Sequence, residues 1–305
     1  MEKNSYRNFY RQFYRKTGGF IPCRPLHQHV YPGDFFQVRG GEMMILGNIF
    51  HKGIVDIGDV SFARNKKLYP SAWDISDGIS KPYSGRSAGN GVLQGEFEFS
   101  KQVVAFARRG SFFFRGQHPQ SSGITNWGNI KEQLIIKLTQ VMYSFRQVYV
   151  VTETASAEGC TLAIAGADNA ELEVASTEEN FGLIDIYGLD GTKTIQSRDL
   201  EYYHREHKRK PVFFKAKKLA VRDETAQVFI SDLLGERQGL DNWAGSFFDY
   251  QYDEEVIPAV TGYSPCVLDL LQANQLNPNT ALEYFSWQDA GLDDIDHFFT
   301  GYANS

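Results

Sequence analysis

The sequence predicts an α+β fold, a twisted and mostly antiparallel central sheet with peripheral helices, and three observations carry that prediction. Aromatic side chains are abundant, 23 Phe and 16 Tyr in 305 residues, which suits extended strands better than a helical bundle. Short apolar segments recur between glycine-rich turns, and several alternate apolar with polar. Two stretches, "SYRNFYRQFYRK" and "NIKEQLIIKLTQV", have helical spacing instead.

Taken in order, the first helix places Tyr6, Phe9, Tyr10, Phe13 and Tyr14 on one face and Arg7, Arg11 and Arg15 on another, and Gly18 and Gly19 stop it. "DFFQVRGGEMMILGNIF" reads as a hairpin turning at the Gly-Gly pair. Residues 64–91, with Lys66, Lys67 and Lys81 among serines and glycines, read as a mobile connection. "GEFEFSKQVVAFARRGSFFFRG" alternates through Glu96, Phe97, Glu98 and Phe99 and runs on into a second strand. The second helix repeats through Ile130, Leu134, Ile135 and Leu138. Another strand pair is expected from Arg146 to Ala175, broken at Ala157–Gly159, and "PVFFKAKKLAV" is an apolar strand seeded with Lys215, Lys217 and Lys218.

Charge divides the chain in two. Residues 223–305 hold fifteen acidic residues and one basic residue, Arg237, a net of −14, whereas residues 1–222 are net +8. A basic body with an acidic tail suggests a body that meets a polyanion and a tail that masks it. The tail also carries apolar clusters such as "WAGSFF", "VLDLLQANQL" and "ALEYFSW", which need something to pack against. The expected division is therefore a domain at 1–222 and a regulatory segment at 223–305.

Catalytic signatures are scarce: the sequence has no GxGxxG, Walker A, HExxH or GxSxG motif. Cys23, Cys160 and Cys266 are widely spaced with no CxxC pair, against a disulfide scaffold or zinc site and in keeping with a reducing compartment. His27 and His29 lack a third ligand, and "GLDDIDH" lacks the glycine and terminal Glu of a calcium loop. The aromatics match no nucleic-acid motif. The expectations are no enzyme activity, no cofactor, no metal and no nucleic-acid partner. With neither a secretory signal nor an 18-residue apolar run, a soluble, cytoplasmic resting protein is expected. Two other classes stay open: a non-enzymatic β-rich module for a ligand or partner, and an enzyme with a site assembled around Glu153, His204 or His207.

The order of these elements resembles the pore-forming domain of the gasdermins. There, an amphipathic basic helix precedes a Pro-Leu dipeptide and a first strand with a hydrophobic-tipped loop. Here those are "SYRNFYRQFYRK", Pro25-Leu26 and "FFQVRGGEMMILGNIF". The family's "YVV-E" strand resembles "VYVVTETASAEGCTL", and its basic terminal strand resembles "PVFFKAKKLAV". The likeness is collinear over residues 6 to 222. The short acidic tail is similar to the C-terminal segments of bacterial and fungal members, which a protease removes.

The resemblance implies an autoinhibited pore former acting in cell-death defence. Proteolysis frees it to bind anionic lipid at the inner leaflet of the cell membrane, assemble with copies of itself and insert β-hairpins. Arg7, Arg11, Arg15 and Lys16 are the expected lipid contacts, joined by Met43, Met44, Ile45 and Leu46, with Arg39 and Lys52 as flanking phosphate contacts. On residue type alone, that apolar quartet reads equally as core. The inserting strands are expected at 91–115 and 143–175, through Phe97, Phe99, Val103, Val148, Val150, Leu162 and Ile164. Arg237 is a candidate cut for a trypsin-like or caspase-like protease.

Overall fold

Helix α1 spans Lys3–Thr17, and its ending is built into the sequence. Gly18 takes φ +72°, and the Gly19 N–H donates back to the Tyr14 carbonyl at 2.8 Å, closing the helix with a left-handed glycine. The computed structural model of the chain describes residues 3–39, 41–87, 99–141, 148–176, 193–222 and 278–300. The aromatic stripe of α1 does what its spacing predicts: Phe9, Tyr10 and Phe13 are buried. Phe13 stacks on Phe213 at 4.9 Å and meets Trp73 and Phe114 edge-on at 5.2 and 5.1 Å.

The strands are β1 (Ile21–Pro22), β2 (Asp34–Arg39), β3 (Glu42–Asn48), β4 (Phe62–Lys67), β5 (Asp74–Asp77), β6 (Ile79–Ser87), β7 (Phe99–Phe106), β8 (Phe112–Gly116) and β9 (Gln120–Ile124). Helix α2 (Trp127–Val141) follows, then β10 (Val148–Ser156), β11 (Cys160–Ala165), β12 (Glu171–Ser176), β13 (Lys193–Arg198), β14 (Leu200–Glu206) and β15 (Phe213–Val221). The C-terminal elements are α3 (Pro278–Tyr284), β16 (Phe285–Asp289) and α4 (Leu292–Thr300). All the recorded pairings are antiparallel, in three sheets. The eight-stranded sheet runs β1-β15-β10-β2-β3, with β16 on β15 and β9 joining β10 to β4; the others run β14-β11-β8-β5 and β13-β12-β7-β6.

Antiparallel pairing was expected, but the described residues are mostly β with few helices, and three sheets replace one central sheet. Residues 64–87 supply most of β4 and all of β5 and β6, not a connection. β4 lies at a sheet margin, where Arg64, Lys66 and Lys67 stand exposed, so it has no apolar face to betray it. The two expected strand pairs also part company. β7 pairs with β6 and β12, whereas β8 pairs with β5 and β11. β10, β11 and β12 each belong to a different sheet. Neither 99–116 nor 148–176 is a hairpin here.

β10 is the hub. It accepts β15 along one edge and β2 then β9 along the other, and its first four residues are buried on both faces. One face joins Tyr149 and Val151 to the core under α1; the other joins Val148 and Val150 to a second core with Phe35, Leu134, Leu219 and Phe285.

Candidate functional site

β15 is buried at Phe213, Phe214, Ala216 and Leu219 and partly exposed elsewhere, and its three lysines each find an acid. Lys215 lies 3.3 Å from Glu153, Lys217 lies 2.8 Å from Asp289, and Lys218 lies 2.6 Å from Asp294. Two of those acids belong to the C-terminal elements. β16 pairs along β15 from Lys217↔Asp289 to Val221↔Phe285, and the Ala290 N–H donates to the Ala216 carbonyl at 2.9 Å. Across the second core the Trp287 ring meets Trp127 edge-on at 5.5 Å, and its Nε1–H donates to the Lys131 carbonyl at 2.8 Å. The acidic C-terminus therefore supplies the strand that finishes one end of the sheet.

Helix α4 lies against α1. Asp296 accepts two hydrogen bonds from Arg7, from Nε at 2.7 Å and Nη2 at 2.6 Å, and stands 3.7 Å from Arg11. Beneath this charged seam Ile295, Phe298 and Phe299 are buried in the main core. Phe299 meets Tyr10 edge-on at 5.3 Å and lies under the Arg24 guanidinium at 4.4 Å. Arg24 Nη1 donates to the Phe298 carbonyl at 2.6 Å.

Asp294 is the polar centre of the interface. It accepts from the Tyr149 hydroxyl at 2.9 Å, from Lys218 Nζ at 2.6 Å and from the Gly291 N–H at 2.8 Å. Burial pushes its carboxyl up, but these donors outweigh burial and hold it below the usual carboxylate range. Burial also raises the Tyr149 phenol, and the Asp294 charge raises it further.

The expected lipid contacts divide into two places. On α1, Arg15 and Lys16 are exposed, whereas Arg7 and Arg11 are 40% and 35% exposed and engaged by Asp296. At the β2–β3 hairpin, Met44, Ile45 and Lys52 are exposed. Arg39, also exposed, donates to Gln37 Oε1 at 2.9 Å. Met43 is buried in the main core, and Leu46 is half-buried against the second core. β3 is not among the main neighbours of α1, which are β1, the short turn Pro70–Trp73, β5, β11 and α4. Val103, Val148, Val150, Leu162 and Ile164 are all buried core residues, and Phe99 opens β7. Phe97 and Arg237 lie outside the described residues.

Among the described residues no group of three potential ligands gathers as a metal site. His27 and His29 are exposed in the loop after β1, and His204 stacks on Tyr202 in β14. Sequence reasoning missed Arg24 and Tyr149. Arg24 sits in an irregular loop with no periodicity, and Tyr149 reads as one more apolar strand residue. The signal for Lys217 and Lys218 was present, as charges in an otherwise apolar strand.

No protein-family model matches the chain, and no curated protein matches it. Among solved structures the chain is similar to that of a bacterial gasdermin from Bradyrhizobium tropiciagri, at 11% sequence identity, over 66% of this chain and 81% of that one, with a TM-score of 0.28.

Proposed function

We propose that the protein is an autoinhibited pore former whose acidic C-terminal elements hold its membrane-binding helix and an assembly edge out of use. The single observation that carries this reading is double occupancy: α4 clamps Arg7 and Arg11 through Asp296 while β16 covers β15. On this reading a protease cuts within 223–277, with Arg237 as one candidate, and the C-terminal elements leave. Arg7, Arg11, Arg15 and Lys16 then meet anionic lipid at the inner leaflet. Each contributes about 1 kcal/mol near an anionic surface, about 4 kcal/mol together. An Arg–carboxylate pair of this exposure is worth about 1 kcal/mol at most, so the ion pair alone costs less than the lipid returns; the stronger hold is the burial of Ile295, Phe298 and Phe299.

Pore formation then requires that strands close into a barrel, since lipid tolerates no unpaired backbone edge. Consecutive strands β7–β8 and β10–β12, which now pair in separate sheets, are the segments proposed to rearrange. The test is limited proteolysis of the full chain with vesicles carrying phosphatidylserine or only neutral lipid. Dye release from the anionic vesicles, with rings in negative stain, is the expected result. Cut protein that leaves anionic vesicles sealed overturns the reading.

A further inference from the structure

We infer that the outer edge of β3 is the surface by which one copy of the chain grips the next, taking the edge of β15 that β16 now covers. This rests on the pore-forming reading and names the contact that assembles it.

β3 ends the path β1-β15-β10-β2-β3, and among the described residues no strand pairs with its outer edge. Seven residues long, it carries Met44 and Ile45 at 43% and 38% exposure. Folded proteins usually guard such an edge with charge. The other open strand on that side, β4, is guarded in this way by Arg64, Lys66 and Lys67, all exposed. β3 is left apolar.

Direction decides where this edge fits. β16 is antiparallel to β15, β15 to β10, β10 to β2 and β2 to β3. β3 therefore runs the same way as β16. A second copy placed beside the first in the same orientation brings its β3 against the first copy's β15 in the antiparallel sense that β16 uses now. Faces agree as well. Leu219, Val221, Phe285 and Trp287 all belong to the second core, and so does Leu46; Met44 shares the face of Leu46, because Met43 beside it points into the main core. Setting Met44 opposite Val221 puts Ile45 opposite Ala220 and brings Leu46, the extra residue of β3 between Ile45 and Gly47, to Leu219, so the apolar side chains of β3 replace Trp287 and Phe285 on one face. The contact joins two different edges of the molecule. Repeated, it is head-to-tail: it does not stop at a dimer, and it closes into a ring when each copy is rotated against the last by a closing angle. In the uncut chain β16 holds the site.

The test uses the full-length chain carrying Ile45→Cys and Ala220→Cys, which this register sets opposite each other. It is cut by limited proteolysis on phosphatidylserine vesicles and then oxidised. A ladder of disulfide-linked oligomers is expected after cutting, and only monomer before it. A ladder or dimer from Ile45→Cys alone means that β3 meets β3, which overturns the inference. Dye release or rings without the ladder overturn it and leave the pore reading standing; no release and no oligomer overturn both. A second variant, Met44→Lys, places a charge on the edge without touching the core. Compared at equal amounts of vesicle-bound protein, it is expected to lower dye release about tenfold, equivalent to about 1.4 kcal/mol. Dye release per bound protein that is unchanged overturns the inference.

Discussion

Three donors converge on Asp294, and they set how the C-terminal elements respond to acid. Its folded-state carboxyl lies below the usual range despite burial, so its contribution to stability is present above the unfolded value and is lost as pH falls through the folded one. Docking of α4 is therefore expected to be insensitive to pH above about 4 and to weaken below it. Asp294→Asn is expected to flatten that acid limb and to cost about 2 kcal/mol at neutral pH, since Lys218 loses a charged acceptor. Urea titrations at a series of pH values measure both. Asp296 is a different case: its pair with Arg7 is half in solvent, and Asp296→Ala is expected to cost under about 1 kcal/mol of stability. The sequence shows "GLDDIDH" only as an acidic cluster. Helical spacing turns Asp294 inward and leaves Asp293 exposed, but that Asp296 lands on Arg7 depends on a docking that no local pattern encodes.

At the scale of elements, α1 and α2 were legible because each buries one face and so repeats at its own period, and the β2–β3 hairpin and β15 because glycine or proline sets off their apolar runs. β10 is buried on both faces at its start, so its four apolar residues mark a strand without saying what lies on either side. Lipid-facing residues are expected to alternate with lumen-facing ones, but Val148 and Val150 both sit fully buried in the second core. Val148→Asp with Val150→Asp is therefore expected to unfold the resting protein and not merely to block leakage. Each buried carboxylate costs several kcal/mol against a total stability of about 5–15 kcal/mol. Recovery of soluble double variant with an unchanged circular dichroism spectrum counts against this. Pairings such as β8 with β11 were not legible, because nothing in a strand's own sequence names its partner.

Across the whole molecule, the charge asymmetry pointed to the tail but not to how closely it is joined to the body. α4 contributes Ile295, Phe298 and Phe299 to the main core, and β16 completes a sheet. A cut within 223–277 therefore breaks the chain without breaking these contacts. Activation is expected to have two phases: cleavage, then dissociation of the fragment that holds 278–300. Gel densitometry of cleavage set beside dye release is expected to show release lagging. Mild urea, which weakens apolar burial, is expected to shorten the lag. Superimposed time courses overturn the two-phase scheme.

The Trp127–Trp287 contact offers a way to watch that second phase without a label. The two indoles lie on either side of the joint, one on α2 and one on β16, 5.5 Å apart and nearly perpendicular at 80°. Chromophores this close share their excited states, so the pair gives the resting protein an excitonic signature in the ultraviolet. If the C-terminal elements leave after cutting as proposed, the pair is separated and the signature is expected to disappear as the edge of β15 becomes free.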